Sequence, residues 1–363
     1  MADFDAASRT REALRGFEPY DPAFTPCEVN LSANENTHEL PQSVYAAINE
    51  ALVSTPLNRY PDPMANDLRD ELAAWHGVSR ESIIVGNGGD ELLFNLLFAF
   101  GGEGRVLVTC PPDFAEYANF ARMCETECVG VSRDPVTFAI DADGLVAAAR
   151  KAAIVIVTSP NNPTGDLIDP VLVRRLLDET DALIVVDEAY VEFAPAGSSL
   201  VPWVASNPRL VVLRTLSKAF ALAGLRCGYL VTDPAIVDVL GAIRQIYSED
   251  VLAQAAALAA VKRRDELTPV VADIVSERER LGAGLSALPG VTVWPSSANF
   301  LLVRMPAAAT VRRRLRDEYS ILVRDLTAVP ELEDCLRISV GTHEENDLVL
   351  AALAELLEND TSR

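Results

Sequence analysis

Lys218 stands in the run Arg214-Thr215-Leu216-Ser217-Lys218-Ala219-Phe220, directly after the apolar stretch Leu210-Val211-Val212-Leu213, and Arg226 follows a little further on. Upstream, Asp187-Glu188-Ala189-Tyr190 closes a second apolar stretch, Leu183-Ile184-Val185-Val186. Directly after a buried strand and two hydroxyls is an unusual place for an unpaired ammonium. An amine, a hydroxyl pair, a cation suited to phosphate, a carboxylate and a phenol are together what a protein must offer pyridoxal phosphate.

That cofactor needs a lysine amine for a Schiff base, an acid partner for its ring nitrogen and an anion site for its phosphate. Lys218 is the candidate amine. Asp187 is the candidate partner of the ring nitrogen, although a carboxylate there also suits a helix cap or a strand-end turn. Tyr190 can hydrogen-bond the ring oxygen or belong to the core. Ser159-Pro160-Asn161-Asn162-Pro163-Thr164-Gly165 is a tight turn that either aims Asn162 at the ring oxygen or is simply a turn. Gly86-Asn87-Gly88-Gly89-Asp90-Glu91 precedes an apolar helical stretch, so its backbone N–H groups suit an anion. Thr215, Ser217 and Arg226 would complete a phosphate cup, and Phe114 would stack on the ring or pack in the core.

These residues follow short apolar runs that are unbroken rather than alternating, including Ile83-Ile84-Val85, Val106-Leu107-Val108 and Ile154-Val155-Ile156-Val157. Such runs read as strands covered on both faces. Amphipathic stretches lie between them, for example around Leu68, Leu72 and Trp75. Strands alternating with helices imply an α/β fold: a large domain with a mostly parallel sheet between helices, over residues 41–245. Residues 246–363 read as a smaller α+β domain, with strands at Val291-Thr292-Val293, Phe300 to Val303, Ile321 to Val323 and Leu336 to Ile338. Residues 1–40, with Pro19, Pro22 and Pro26, read as an arm that packs on the small domain or on a partner.

At 363 residues, 49% apolar and 23% charged, the chain can bury substantial cores. The net charge of -22 speaks against a nucleic-acid partner, because phosphate backbones are bound by clustered Lys and Arg. No stretch reaches the roughly 18 apolar residues of a membrane span, and the acidic start is unlike a secretory signal. The expectation is a cytoplasmic protein. The six cysteines and three histidines sit in no metal-ligand spacing.

The chain resembles a fold-type I, pyridoxal-phosphate-dependent aminotransferase of the histidinol-phosphate aminotransferase family. The matching segments include Asn34-Glu35-Asn36, Arg59-Tyr60-Pro61-Asp62, Gly88 to Glu91, Pro160 to Gly165, Asp187 to Tyr190, Arg214 to Tyr229, Ala298-Asn299-Phe300, Arg324-Asp325 and Leu336 to Thr342. The resemblance implies a Schiff base at Lys218, ring-nitrogen pairing at Asp187, and ring-oxygen contacts from Tyr190 and Asn162. It further implies phosphate contacts from Gly89, Asp90, Thr215, Ser217 and Arg226, with Tyr60 reaching the neighbouring subunit's cofactor in a homodimer. Tyr20, Arg324 and Arg337 would bind the substrate, an amine that exchanges its amino group with 2-oxoglutarate. Two guanidiniums suit a dianionic phosphate, which favours a phosphorylated amine such as histidinol phosphate.

The chain departs from the family in three places. Thr37-His38-Glu39-Leu40 replaces the usual Pro-Tyr-Gly continuation, Ile246-Tyr247-Ser248-Glu249-Asp250 replaces a loop that often reads Pro-Tyr-Asn, and Phe114 stands where tyrosine is common. The first two leave substrate identity open toward aromatic amino acids, or toward decarboxylation of O-phosphothreonine. A non-enzymatic cofactor-sensing regulator is the alternative of another class, and would need a DNA-binding segment.

Overall fold

A computed structural model describes residues 5–18 and 25–361, without the side chains of residues 359–361. Its strands are β1 (Val29–Leu31), β2 (Ile83–Asn87), β3 (Val106–Thr109), β4 (Glu127–Gly130), β5 (Ile154–Thr158), β6 (Leu183–Asp187), β7 (Leu210–Thr215), β8 (Cys227–Val231), β9 (Thr292–Val293), β10 (Phe300–Arg304), β11 (Ile321–Asp325) and β12 (Cys335–Ser339). Seven of them form one sheet in the order β2-β8-β7-β6-β5-β3-β4. Only β8 runs against its neighbours.

The unbroken apolarity of these strands has a direct explanation. Val155, Val157, Ile184, Val186 and Val212 face one core, while Ile154, Ile156, Val185, Val211 and Leu213 face another on the opposite side. Alternate side chains point to opposite faces, and both faces are covered by helices. The parallel strands β2, β7, β6, β5 and β3 therefore end along one edge, the edge at which open α/β sheets bind ligands. Helices on this frame begin with local signals: Asp169 caps Pro170–Glu179 and Asp233 caps Pro234–Ile243, each followed by proline in the first turn.

The smaller sheet has the order β1-β11-β12-β10-β9. Val29, Leu31, Leu301, Val303, Val323, Leu336 and Ile338 pack under it with the helices Ala308–Tyr319 and His343–Thr361. β1, from the expected arm, pairs in parallel with β11. Residues 5–18 instead touch the large domain: Arg122 Nε donates to the Ala13 carbonyl at 3.0 Å, and its guanidinium lies 4.2 Å from the Phe17 ring centre. The helix Val251–Val261, expected beyond the large domain, puts Ala256, Ala257, Ala260 and Val261 into the large core. Its alanines allow close approach to the helix Gln42–Ser54.

Candidate active site

The strand edge and the small sheet enclose a cavity of about 440 Å³. Gly89, Asp90, Phe114, Asn162, Asp187, Tyr190, Thr215, Ser217, Lys218, Arg226, Arg324 and Arg337 all line it. Tyr20 lies outside the described residues. Tyr60 is not among the lining residues; it is 81% exposed, and its ring stacks on Tyr247 with centroids 4.5 Å apart.

Lys218, just past the end of β7, donates from Nζ to the Ala33 carbonyl at 3.0 Å. Burial and, after it, the Arg337 charge lower its pKa from 10.5 to about 8. Asp187 ends β6 with its carboxyl buried. Its Oδ1 accepts the Ala189 N–H at 3.0 Å and its Oδ2 accepts the Tyr117 hydroxyl at 2.6 Å. Desolvation raises its pKa to about 6 against the opposing pull of those two bonds. The Tyr190 hydroxyl accepts from Asn34 Nδ2 at 3.0 Å, and its ring meets Phe300 edge-on at 5.0 Å.

The anion end is built mainly from backbone. The helix Gly88–Phe100 starts at the cavity, so the N–H groups of its first turn have no partners within the helix. A Cβ on Gly228 would lie 2.6 Å from the Gly89 nitrogen, and one on Gly88 would lie 2.5 Å from an Arg226 terminal nitrogen. Glycine is what lets β8 and Arg226 approach that helix start. Thr215 Oγ1 lies 3.0 Å from Ser217 Oγ and accepts the Ser217 N–H at 3.1 Å, while Arg226 donates to Asp90 at 2.8 Å.

Across the cavity, Arg324 of β11 and Arg337 of β12 are direct cross-strand partners. Arg337 donates to Asn162 Oδ1 at 2.5 Å and to the Ser32 carbonyl at 2.7 Å. Among the described residues no hydrogen bond or ion pair engages the Arg324 side chain. Its neighbour Asp325 instead accepts from Thr327.

The two unusual loops contribute no lining residue. Thr37 donates to Glu345 at 2.5 Å and His38 Nε2 lies 3.2 Å from Asp273, so that segment is fastened to the C-terminal third of the chain. Sequence reasoning missed Tyr117 and Thr158. The spacing Phe114-Ala115-Glu116-Tyr117 held the signal, because the turn closed by the Tyr117 N–H on the Phe114 carbonyl at 3.1 Å brings the two rings together.

An amine with a lowered pKa, a buried carboxylate, a phenylalanine on the cavity wall and a glycine-lined helix start beside Arg226 and two hydroxyls form a donor set that fits pyridoxal phosphate. The family model for aminotransferase class I and II matches residues 27–353. The chain is 37% identical to a histidinol-phosphate aminotransferase of Caldanaerobacter subterraneus, covering 96% of this chain and 98% of the relative. It is 39% identical to that of Roseiflexus castenholzii, covering 95% and 97%. The crystal structure of histidinol-phosphate aminotransferase from Sinorhizobium meliloti with pyridoxal-5'-phosphate superposes with a TM-score of 0.88 at 29% identity over 99% of both chains. An L-threonine-O-3-phosphate decarboxylase from Porphyromonas gingivalis superposes with a TM-score of 0.80 at 28% identity, over 91% of this chain and 99% of that one. The chain belongs to the class I and II aminotransferases, and within them to the pyridoxal-phosphate-dependent histidinol-phosphate aminotransferase family.

Proposed function

We propose that this aminotransferase moves the amino group of histidinol phosphate to 2-oxoglutarate, as a cytoplasmic homodimer. The observation that carries the reading is the cross-strand pair Arg324 and Arg337 on the cavity wall, with the Arg324 guanidinium uncommitted among the described residues. Two like charges placed side by side oppose each other unless an anion lies between them. A phosphate dianion answers two guanidiniums, whereas a carboxylate is satisfied by one.

When bound, pyridoxal phosphate supplies an aldehyde carbon for amines and a ring that withdraws electrons from the substrate α-carbon. The Gly88–Phe100 helix start, Thr215, Ser217 and Arg226 would hold its phosphate, with Gly89 and Asp90 giving backbone N–H groups. Asp187 would hold a proton at the ring nitrogen. Tyr190 and Asn162 would hydrogen-bond the ring oxygen, and Phe114 would pack against the ring. Lys218 would hold the aldehyde carbon and, as a free amine, would carry a proton from the substrate α-carbon. A pKa of about 8 brings its free amine within reach near neutral pH.

Tyr60 supports the dimer. Exposed and stacked on Tyr247 away from its own chain's cavity, it is free to serve a neighbour's site. The six free cysteines suit a reducing compartment. Turnover of histidinol phosphate, phenylalanine and O-phosphothreonine measured side by side tests the reading. Preferred release of imidazole-acetol phosphate supports it; phenylpyruvate or carbon dioxide as the main product overturns it.

A further inference from the structure

Tyr117 touches two residues of the cofactor wall and has no role in the chemistry above. Its side chain is almost completely buried, on the helix Glu116–Met123. Its hydroxyl lies 2.6 Å from Asp187 Oδ2 and 2.9 Å from Thr158 Oγ1. Thr158 and Asp187 are register partners on β5 and β6, so the phenol bridges two adjacent strand ends. Its ring also meets Phe114 edge-on at 5.5 Å and 85°.

A phenol has one hydrogen. If it is donated to the carboxylate, the Thr158 hydroxyl must donate to the Tyr117 oxygen. The result is a directed chain, Thr158 to Tyr117 to Asp187, ending on a buried carboxylate. The other oxygen of that carboxylate is fixed by the Ala189 N–H. We infer that Tyr117 is a positioning residue for Asp187, fixing its orientation and supplying the hydroxyl donor that keeps it anionic while it bears on the cofactor ring. The inference rests on the role given to Asp187 under the proposed function.

Burial opposes ionisation of Asp187, and the hydrogen bond from Tyr117 is the largest influence acting the other way. Hydrogen bonds to charged groups are stronger than neutral ones. Removing this donor shifts Asp187 toward its neutral acid, which cannot pair with a protonated ring nitrogen. Tyr117→Phe removes one oxygen and leaves the ring that packs on Phe114.

The test uses the holoenzyme for the pH profile of kcat/KM, and the cofactor-free protein for an absorbance titration with pyridoxal phosphate. With Tyr117→Phe, the acid limb is expected to move up by about one pH unit, and cofactor binding to weaken by about tenfold near pH 6 with a smaller loss at pH 8. Thr158→Val is expected to move both in the same direction by less. A lower rate with an unmoved limb and wild-type pH dependence of binding overturns the inference, because packing alone would produce that. Should Tyr117→Phe yield no folded protein, Thr158→Val carries the test, and an unmoved limb overturns it. Asp187→Asn separates the two levels. If it retains wild-type activity the role of Asp187 itself has failed, whereas a collapse together with an unmoved limb in Tyr117→Phe sinks only the Tyr117 inference.

Discussion

On the large-sheet wall of the cavity the polar side chains are tied to one another: Asp187 to Tyr117, Tyr117 to Thr158, Thr215 to Ser217, and Arg226 to Asp90. On the small-sheet wall Arg324 faces the cavity with no such tie among the described residues, beside Arg337. The first wall stands on strands locked between two apolar cores, the second on a sheet with its own core. The contrast teaches how one fold can keep its chemistry and change its substrate. Preorganised groups on rigid strands would serve the step shared by every substrate, while Arg324 can be altered without breaking a bond to any of them.

The sharpest way to break this division is at Lys218. Lys218→Ala is expected to lower kcat by at least about a thousandfold with every amine tested, and to abolish the lysine-linked cofactor absorbance of the purified protein. An undiminished band would remove Lys218 from the cofactor wall. Next in size is Arg324→Ala, expected to lower kcat/KM for histidinol phosphate by about ten- to a hundredfold while leaving phenylalanine nearly unchanged. Equal losses for both amines would erase the distinction between the walls.

A third experiment reads stability, away from both walls. Glu249, in one of the unusual loops, is fully buried, and desolvation pushes its carboxyl up from 4.5 to about 8. A folded-state pKa above the unfolded one gives stability that is whole below about pH 4.5 and falls as pH rises to about 8. Glu249→Gln is therefore expected to raise Tm over wild type increasingly across that window and by a constant amount above it. A Tm difference independent of pH would refute the assignment. The smallest effect concerns Tyr60. Mixing Tyr60→Ala with Lys218→Ala subunits should restore one working site per mixed dimer, and no recovery of activity would return Tyr60 to its own chain.

Much of this was legible because the signals were local. The runs Ile154 to Val157 and Leu183 to Val186 are strands with the expected two-sided burial, and the groups that follow them converge on one edge. β1 and β4 escaped notice: Val29–Leu31 is three residues long, and Glu127–Gly130 is an edge strand with a largely exposed face. The helix Val251–Val261 falls in the span that reads as the smaller domain yet packs into the large core, because alanine richness says only that two helices can come close, not which two. Tyr117 was missed for a related reason. A tyrosine inside a helix looks like core until the strand end that receives its hydroxyl is known. Arg324 and Arg337 came from resemblance, since nothing local shows that residues on two strands of a small sheet will face one cavity.

The arginine pair has a kinetic consequence in a chain of net charge -22. At distances beyond a Debye length of about 10 Å, an approaching phosphate dianion meets the repulsion of the whole molecule rather than the pull of two guanidiniums. Added salt weakens that far field first and the enclosed pair much less. Capture of the substrate should therefore quicken as ionic strength rises from very low values, the reverse of the behaviour of an enzyme that gathers anions with a basic surface.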